Sequence, residues 1–191
     1  MKTLGSHRID IRLMLLFLVV LMGQGWIGAA VTLAEDDVFQ ALQAGRFPER
    51  LEAPDFSLPS VGGTHTKLSD FKGKIVLLNF WATWCRYCQK ERPTLQALYD
   101  RYKDKEFVVL SISIDRTSFE IVKEYVEANQ ITFPTLHDQA MQTASEYGVR
   151  GVPTTYFIDR DGKAVGGVIG PREWDSQAAY RLIEHLLANA N

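Results

Sequence analysis

Residues 75–81, Ile-Val-Leu-Leu-Asn-Phe-Trp, leave no polar face for solvent. Side chains alternate across a strand, so a segment apolar at both odd and even positions needs cover on both sides. That excludes a sheet with one wet face and demands packing above and below it. Asn79 is the one polar interruption. A second run of the same kind, Phe107 to Ile114, follows after a helical pattern over 86–103, in which Leu95, Leu98, Tyr99 and Tyr102 fall at i, i+3, i+4 and i+7. Pro93 lies inside that helix, where its missing N–H should free the Gln89 carbonyl and bend the axis.

The rest of the chain supplies the other elements. Residues 118–129 read as a helix with Phe119, Val122 and Val126 inward, 132–136 as a short extended piece, and 140–147 as a short helix stopped by Gly148. Thr154 to Ile158 and Ala164 to Ile169 are strands joined by an Asp161-Gly162 turn. A last helix over 172–189 buries Trp174, Ala178, Leu182 and Leu186. Upstream, 53–72 is rich in turn signals, with extended pieces at 56–58 and 64–67 around Gly62-Gly63. Early crossovers imply parallel strands and the late hairpin antiparallel ones, so the expected fold class is α/β, a mixed central sheet flanked by helices on both faces. Trp81 and Trp174 read as packing, His137-Asp138 as a surface turn, and Gly166-Gly167 as a bulge or strand end.

The N-terminus has a different character. Lys2, Arg8 and Arg12 precede the unbroken apolar run Leu13 to Met22, the pattern of an export signal. Small residues at 28–30 or 32–34 would suit signal peptidase. Uncleaved, Leu13 to Ala34 is 22 residues, enough to span a hydrocarbon core. Either way, the preceding positive charges place the downstream chain outside the cytoplasm. The expected organisation is a signal peptide or membrane anchor over 1–34, a spacer with a helical turn or two over 35–52, and one domain over 53–191. Beyond the leader the chain carries 18 basic and 22 acidic side chains, a net −4, which argues against a nucleic-acid partner.

The only cysteines are Cys85 and Cys88, in Trp84-Cys85-Arg86-Tyr87-Cys88, where the first central strand hands over to its helix. Residues three apart on a first helical turn share a face, with Cβ atoms about 5–6 Å apart, so the pair can open and close with little backbone motion. Unpaired N–H groups and the positive end of the helix dipole face the Cys85 sulfur and favour thiolate over thiol. Arg86 adds a neighbouring cation. Cys88, one turn in, should be more buried. Cys85 is therefore the expected attacking sulfur and Cys88 the resolving one. A purely structural disulfide is a weaker reading, because closing so short a loop removes little chain entropy. A metal site would need ligands that are not near in sequence, since His7, His65, His137 and His185 all lie elsewhere.

With these residues in view, the chain resembles the thioredoxin-fold proteins, and among them the exported or membrane-anchored TlpA/ResA-like group, related to the AhpC/TSA redoxins. The resemblance is carried by Ala53-Pro54-Asp55-Phe56-Ser57-Leu58, by Leu68 to Lys74, by Leu78 to Cys85 with Cys88, and by Tyr147 to Thr154. It covers residues 53 to about 190 and implies a thioredoxin fold with an N-terminal β-hairpin extension and an inserted βα unit, for which 130–147 is the candidate. It implies a cis Val152-Pro153 bond facing the cysteines, where the Val152 backbone can pair with an extended substrate. Thioredoxins keep a buried Asp where this chain has Asn79, which cannot exchange protons. ResA-like proteins use a Glu after the second cysteine, and Glu91 matches it, which makes Glu91 the candidate for handling the Cys88 proton. Trp84, Arg86, Tyr87, Val152 and Pro153 are the candidate substrate-binding residues.

The implied function is an extracytoplasmic thiol-disulfide oxidoreductase, working in the bacterial periplasm or on the outer face of the inner membrane. It would reduce protein disulfides such as those of apocytochrome c or of a copper-site assembly protein. The Cys85–Cys88 disulfide would be its redox group, with no organic cofactor or metal. A membrane protein of the DsbD/CcdA type would supply electrons. Two other readings stay open. A thiol peroxidase would need Thr three residues before the reactive cysteine, where this chain has Ala82 with Thr83 one place off. A copper-binding or delivery module of the Sco type would space its cysteines one residue further apart and add a histidine.

Overall fold

A computed structural model of the chain describes residues 38–189. The leader expected over 1–34 lies outside the described residues. Eight strands form: β1 (Gly45–Glu52), β2 (Ser57–Pro59), β3 (His65–Lys67), β4 (Ile75–Trp81), β5 (Phe107–Ser113), β6 (Thr135–His137), β7 (Thr154–Ile158) and β8 (Lys163–Ile169). The helices are α1 (Arg86–Tyr102), α2 (Phe119–Ala128), α3 (Gln142–Glu146) and α4 (Gln177–Asn189), with a 3-10 turn at Leu68–Phe71 and a helical turn at 38–41.

Six strands make one mixed sheet in the order β1-β8-β7-β4-β5-β6, and β2 and β3 pair as a separate hairpin. β4, β5 and β6 run parallel, while β7, β8 and β1 add antiparallel ones. Every residue of β4 and β5 is buried, as their two-sided apolar pattern requires. Asn79 and Trp81 point to one face, where α1 and the segment leading into α4 lie: Glu91 and Arg92 of α1 meet them, and Trp174 packs against Phe157. The Tyr102 hydroxyl donates to Glu184 and so ties α1 to α4. On the opposite face Phe80 packs against Tyr147 and Tyr156, and Tyr147 in turn meets Phe56. The inserted unit expected within 130–147 is β6 with α3, and β6 joins the sheet beside β5.

Four expectations need correction. The residues expected to complete a spacer over 35–52 instead include β1, an edge strand paired with β8. Its sequence hides this, because an edge strand can stay largely exposed and can hold Pro48. The last helix begins at Gln177, because the Ser176 hydroxyl accepts from the Ala179 N–H and caps it there. Trp174 is buried, but in the turn before that helix, and Ala179 rather than Ala178 is fully buried. His137 and Asp138 are buried, not a surface turn: Asp138 accepts from the Gln142 and Ala144 N–H groups at the start of α3. Among the described residues no helix is long and apolar enough to cross a membrane.

Candidate active site

The segment between β4 and α1 is held by a buried carboxylate. Asp115, just past β5, accepts from the Thr83 N–H at 2.9 Å, from the Thr83 hydroxyl at 2.6 Å and from the Ser113 hydroxyl at 2.6 Å. The Gln89 side chain closes the loop from the helix side by donating to the Thr83 carbonyl at 2.7 Å. Nothing in the sequence links Thr83 to Asp115, since the two lie 32 positions apart. His137 belongs to the same support, with its Nε2 2.7 Å from the Asp115 carbonyl oxygen.

Cys85 is the N-cap of α1, with extended backbone, and its Sγ accepts from the Cys88 N–H at 3.2 Å. The two sulfurs are joined as a disulfide, with Cα atoms 5.3 Å apart. Cys88 is fully enclosed, whereas Cys85 keeps 6% of its surface exposed. Cys85 is thus the less buried of the pair, with a backbone N–H aimed at its sulfur. Trp84 and Tyr87 stand out on either side of it, 66% and 62% exposed, with Arg86 also in solvent. The Val152-Pro153 bond is cis, and the Val152 carbonyl oxygen lies 3.5 Å from the Cys85 sulfur. Thus residues 67 positions apart meet at one sulfur.

Glu91, one turn beyond Cys88, is only 4% exposed. Its Oε1 accepts from Asn79 Nδ2 at 3.1 Å, and its Oε2 accepts from the Arg172 N–H and from Trp174 Nε1, each at 3.2 Å. Burial pushes the Glu91 carboxyl above the ordinary carboxylate range, against the pull of these three donors and of the Arg92 charge. Asn79 also donates to the Thr155 hydroxyl at 3.0 Å, while its own Oδ1 finds no partner among the described residues. Arg92 is buried with its guanidinium 3.8 Å above the Trp81 ring, and desolvation lowers its pKa to about 10. A cleft of about 520 Å³ opens beside Glu91, lined by Tyr87, Lys90, Arg172, Leu42 and Gln43 among others. Trp174 reads in the sequence as packing alone, and Arg172 carries no signal there; both touch the carboxyl only because the chain returns after more than 80 positions.

Among the described residues no group of three or more His, Cys, Asp or Glu side chains gathers as a metal site. The described site presents a disulfide pair with a buried carboxyl one turn further along the same helix.

Comparison with known proteins agrees with this geometry. The model of the AhpC/TSA family matches residues 50–165. The thiol-disulfide oxidoreductase ResA of Bacillus thuringiensis is 38% identical over 129 residues, covering 68% of this chain and 74% of its own. The solved structure of a Chlorobium tepidum protein described as a thiol:disulfide interchange protein DsbE matches with a TM-score of 0.66 at 34% identity, covering 76% of this chain and 99% of its own. The pneumococcal exposed lipoprotein thioredoxin Etrx1 from Streptococcus pneumoniae matches with a TM-score of 0.60 at 33% identity, covering 70% of this chain and all of its own.

Proposed function

The chain belongs to the AhpC/TSA family and is a thiol-disulfide oxidoreductase of the ResA-like kind, and on that premise we propose that it reduces protein disulfides outside the cytoplasm. The observation that carries the assignment of roles is the asymmetry of the pair: Cys85 caps the helix and is reachable beside the cis Pro153, while Cys88 is enclosed. The reduced Cys85 thiolate attacks one sulfur of a substrate disulfide, forming a mixed disulfide and releasing the other substrate sulfur as a thiolate. Cys88 then gives its proton to the Glu91 carboxylate and attacks the Cys85 sulfur. The substrate leaves carrying both electrons, and the Cys85–Cys88 disulfide remains. Trp84, Arg86 and Tyr87 contact the substrate, and an extended substrate segment pairs with the Val152 backbone at Pro153.

The basic, apolar leader over 1–34 supports an extracytoplasmic setting, and so does similarity to a neighbour described as an exposed lipoprotein. There disulfides are favoured, so a reductant needs a membrane electron donor, of the DsbD/CcdA type. Suitable substrates are proteins whose paired thiols must be reduced before they bind a cofactor, such as apocytochrome c or a copper-site assembly protein. A peroxidase role has less support, since the Thr83 hydroxyl is committed to Asp115. Measuring the reduction potential of the Cys85–Cys88 couple tests the direction of electron flow. A value near or below the roughly −270 mV of thioredoxin supports a reductant, and one near the roughly −120 mV of DsbA overturns it.

A further inference from the structure

The helical turn at 38–41 ends in an unusual way. The Gln43 N–H bonds back to the Gln40 carbonyl and the Ala44 N–H to the Phe39 carbonyl, the paired bonds of a Schellman ending. The residue at its left-handed position is Gln43, at φ 55°, where glycine is usual. Two carbonyls at this ending, those of Leu42 and Gln43, accept from Arg172 Nε at 2.9 Å and from its terminal nitrogen at 2.8 Å. The same residue's main-chain N–H donates to Glu91 Oε2. Phe39 anchors the turn from below, edge-on to Phe157 and so close over Gly166 that a Cβ there would meet its ring at 2.6 Å.

We propose that Arg172 is a positioning residue that couples the N-terminal turn to the active-site carboxyl: its guanidinium, gripped by the Leu42 and Gln43 carbonyls, fixes the peptide whose N–H holds Glu91. The turn is then one wall of the cleft beside Glu91 as well as a brace for it. The consequence for turnover rests on Glu91 taking the Cys88 proton; the coupling itself does not. The charged and titratable groups facing Glu91 are few. Arg92, Lys90 and Tyr87 come from α1, where Cys88 lies one turn before Glu91, and Arg172 and Glu173 from the segment before α4; Asn79, Thr155 and the turn add only uncharged groups.

Losing the grip leaves the Arg172 N–H free to drift from the carboxylate, which then favours its proton more. The test is the titration of Glu91 in the oxidised full chain, followed by carboxyl ¹³C NMR, in the parent, Arg172→Ala, Arg172→Lys and Phe39→Ala proteins. Arg172→Ala should raise the Glu91 midpoint by about 0.5–1 pH unit, the equivalent of one weakened hydrogen bond. Arg172→Lys, which can reach one carbonyl, should raise it less. Phe39→Ala, which loosens the turn with Arg172 intact, should shift it in the same direction. The pH profile of disulfide reduction should move with the midpoint. Unchanged midpoints in folded Arg172→Ala overturn the coupling; if that variant does not fold, unchanged midpoints in both Arg172→Lys and Phe39→Ala overturn it. A flat response of the pH profile to Glu91→Gln would instead overturn the proton role of Glu91, with the coupling still decided by the titrations.

Discussion

Trp174 Nε1 donates to Glu91 Oε2 across 3.2 Å, which joins the turn before the last helix to the carboxyl one turn beyond Cys88. With Asn79 on the other oxygen and the Arg172 N–H beside Trp174, donors from a central strand and from the segment entering α4 converge on one side chain of α1. A carboxyl enclosed this way is costly to ionise yet held in one place, which suits a group that must take up and release a proton.

The first prediction concerns stability against pH. Burial raises the folded-state pKa of Glu91 above its ordinary 4.5, so the folded protein holds this proton more tightly than the unfolded chain. Stability contributed by this site therefore falls as pH rises from the ordinary value through the raised one, then levels off. Glu91→Gln cannot ionise and should lack that fall. Urea midpoints taken at a series of pH values should show the variant gaining on the parent across this window, and parallel curves would contradict the buried titration.

Asp115 holds the approach to Cys85. Asp115→Ala removes the acceptor for the partly buried Thr83 N–H and hydroxyl and for the fully buried Ser113 hydroxyl. Each stranded buried group costs about 1–3 kcal/mol, so we expect a loss of about 2 kcal/mol or more in urea unfolding. Asp115→Asn keeps one carbonyl oxygen and should lose less. Equal losses would show that the acceptor count is not what matters.

Among the described glycines, Gly166 leaves the least room for a side chain. A Cβ there would lie 2.5 Å from the Gly45 carbonyl oxygen and 2.6 Å from the Phe39 ring, and the first of these is backbone paired between β1 and β8. Gly166→Ala should cost about 1–3 kcal/mol. Gly62→Ala, whose Cβ would meet nothing nearer than 3.6 Å, should stay within about 0.5 kcal/mol of the parent. Thermal unfolding of both variants checks the contrast.

Gln43 sits in left-handed backbone that glycine adopts freely. Gln43→Gly keeps the carbonyl that Arg172 uses and removes the steric penalty, so it should stabilise the protein by up to about 1 kcal/mol. A lower melting temperature than that of the parent would mean that the Gln43 side chain contributes more than the strain it imposes.

The central strands, the crossover helix and the cysteine pair were legible in the sequence because each carries its own local signal. β4 and β5 are apolar on both faces, α1 has its stripe, and Cys85 and Cys88 fall at a strand-to-helix junction. Elements whose stability comes from distant partners were not. β1 shows no alternation, since it is held by pairing with β8 and by Arg50 on Asp159 at 2.8 Å. The Gly166-Gly167 pair lies inside β8 beside a register shift, which falls where Val165 has no partner opposite β7.

Polar burial was the least legible property. His137 and Asp138 look like turn residues until Asp115 and the start of α3 supply their partners. The place of Glu91 after Cys88 is readable in the sequence, but nothing local shows that Trp174 and Arg172 hold it. Those contacts span 83 and 81 positions, beyond the reach of helical or strand periodicity.

The most direct test of the assigned chemistry is capture of a substrate between the two half-reactions. With Cys88→Ser, the attack at Cys85 can proceed but resolution cannot, so a protein substrate bearing a disulfide should accumulate as an adduct on Cys85 that dithiothreitol releases. Cys85→Ser should capture far less, because Cys88 is enclosed. Adducts recovered through Cys88 in Cys85→Ser, with none through Cys85 in Cys88→Ser, would contradict the account.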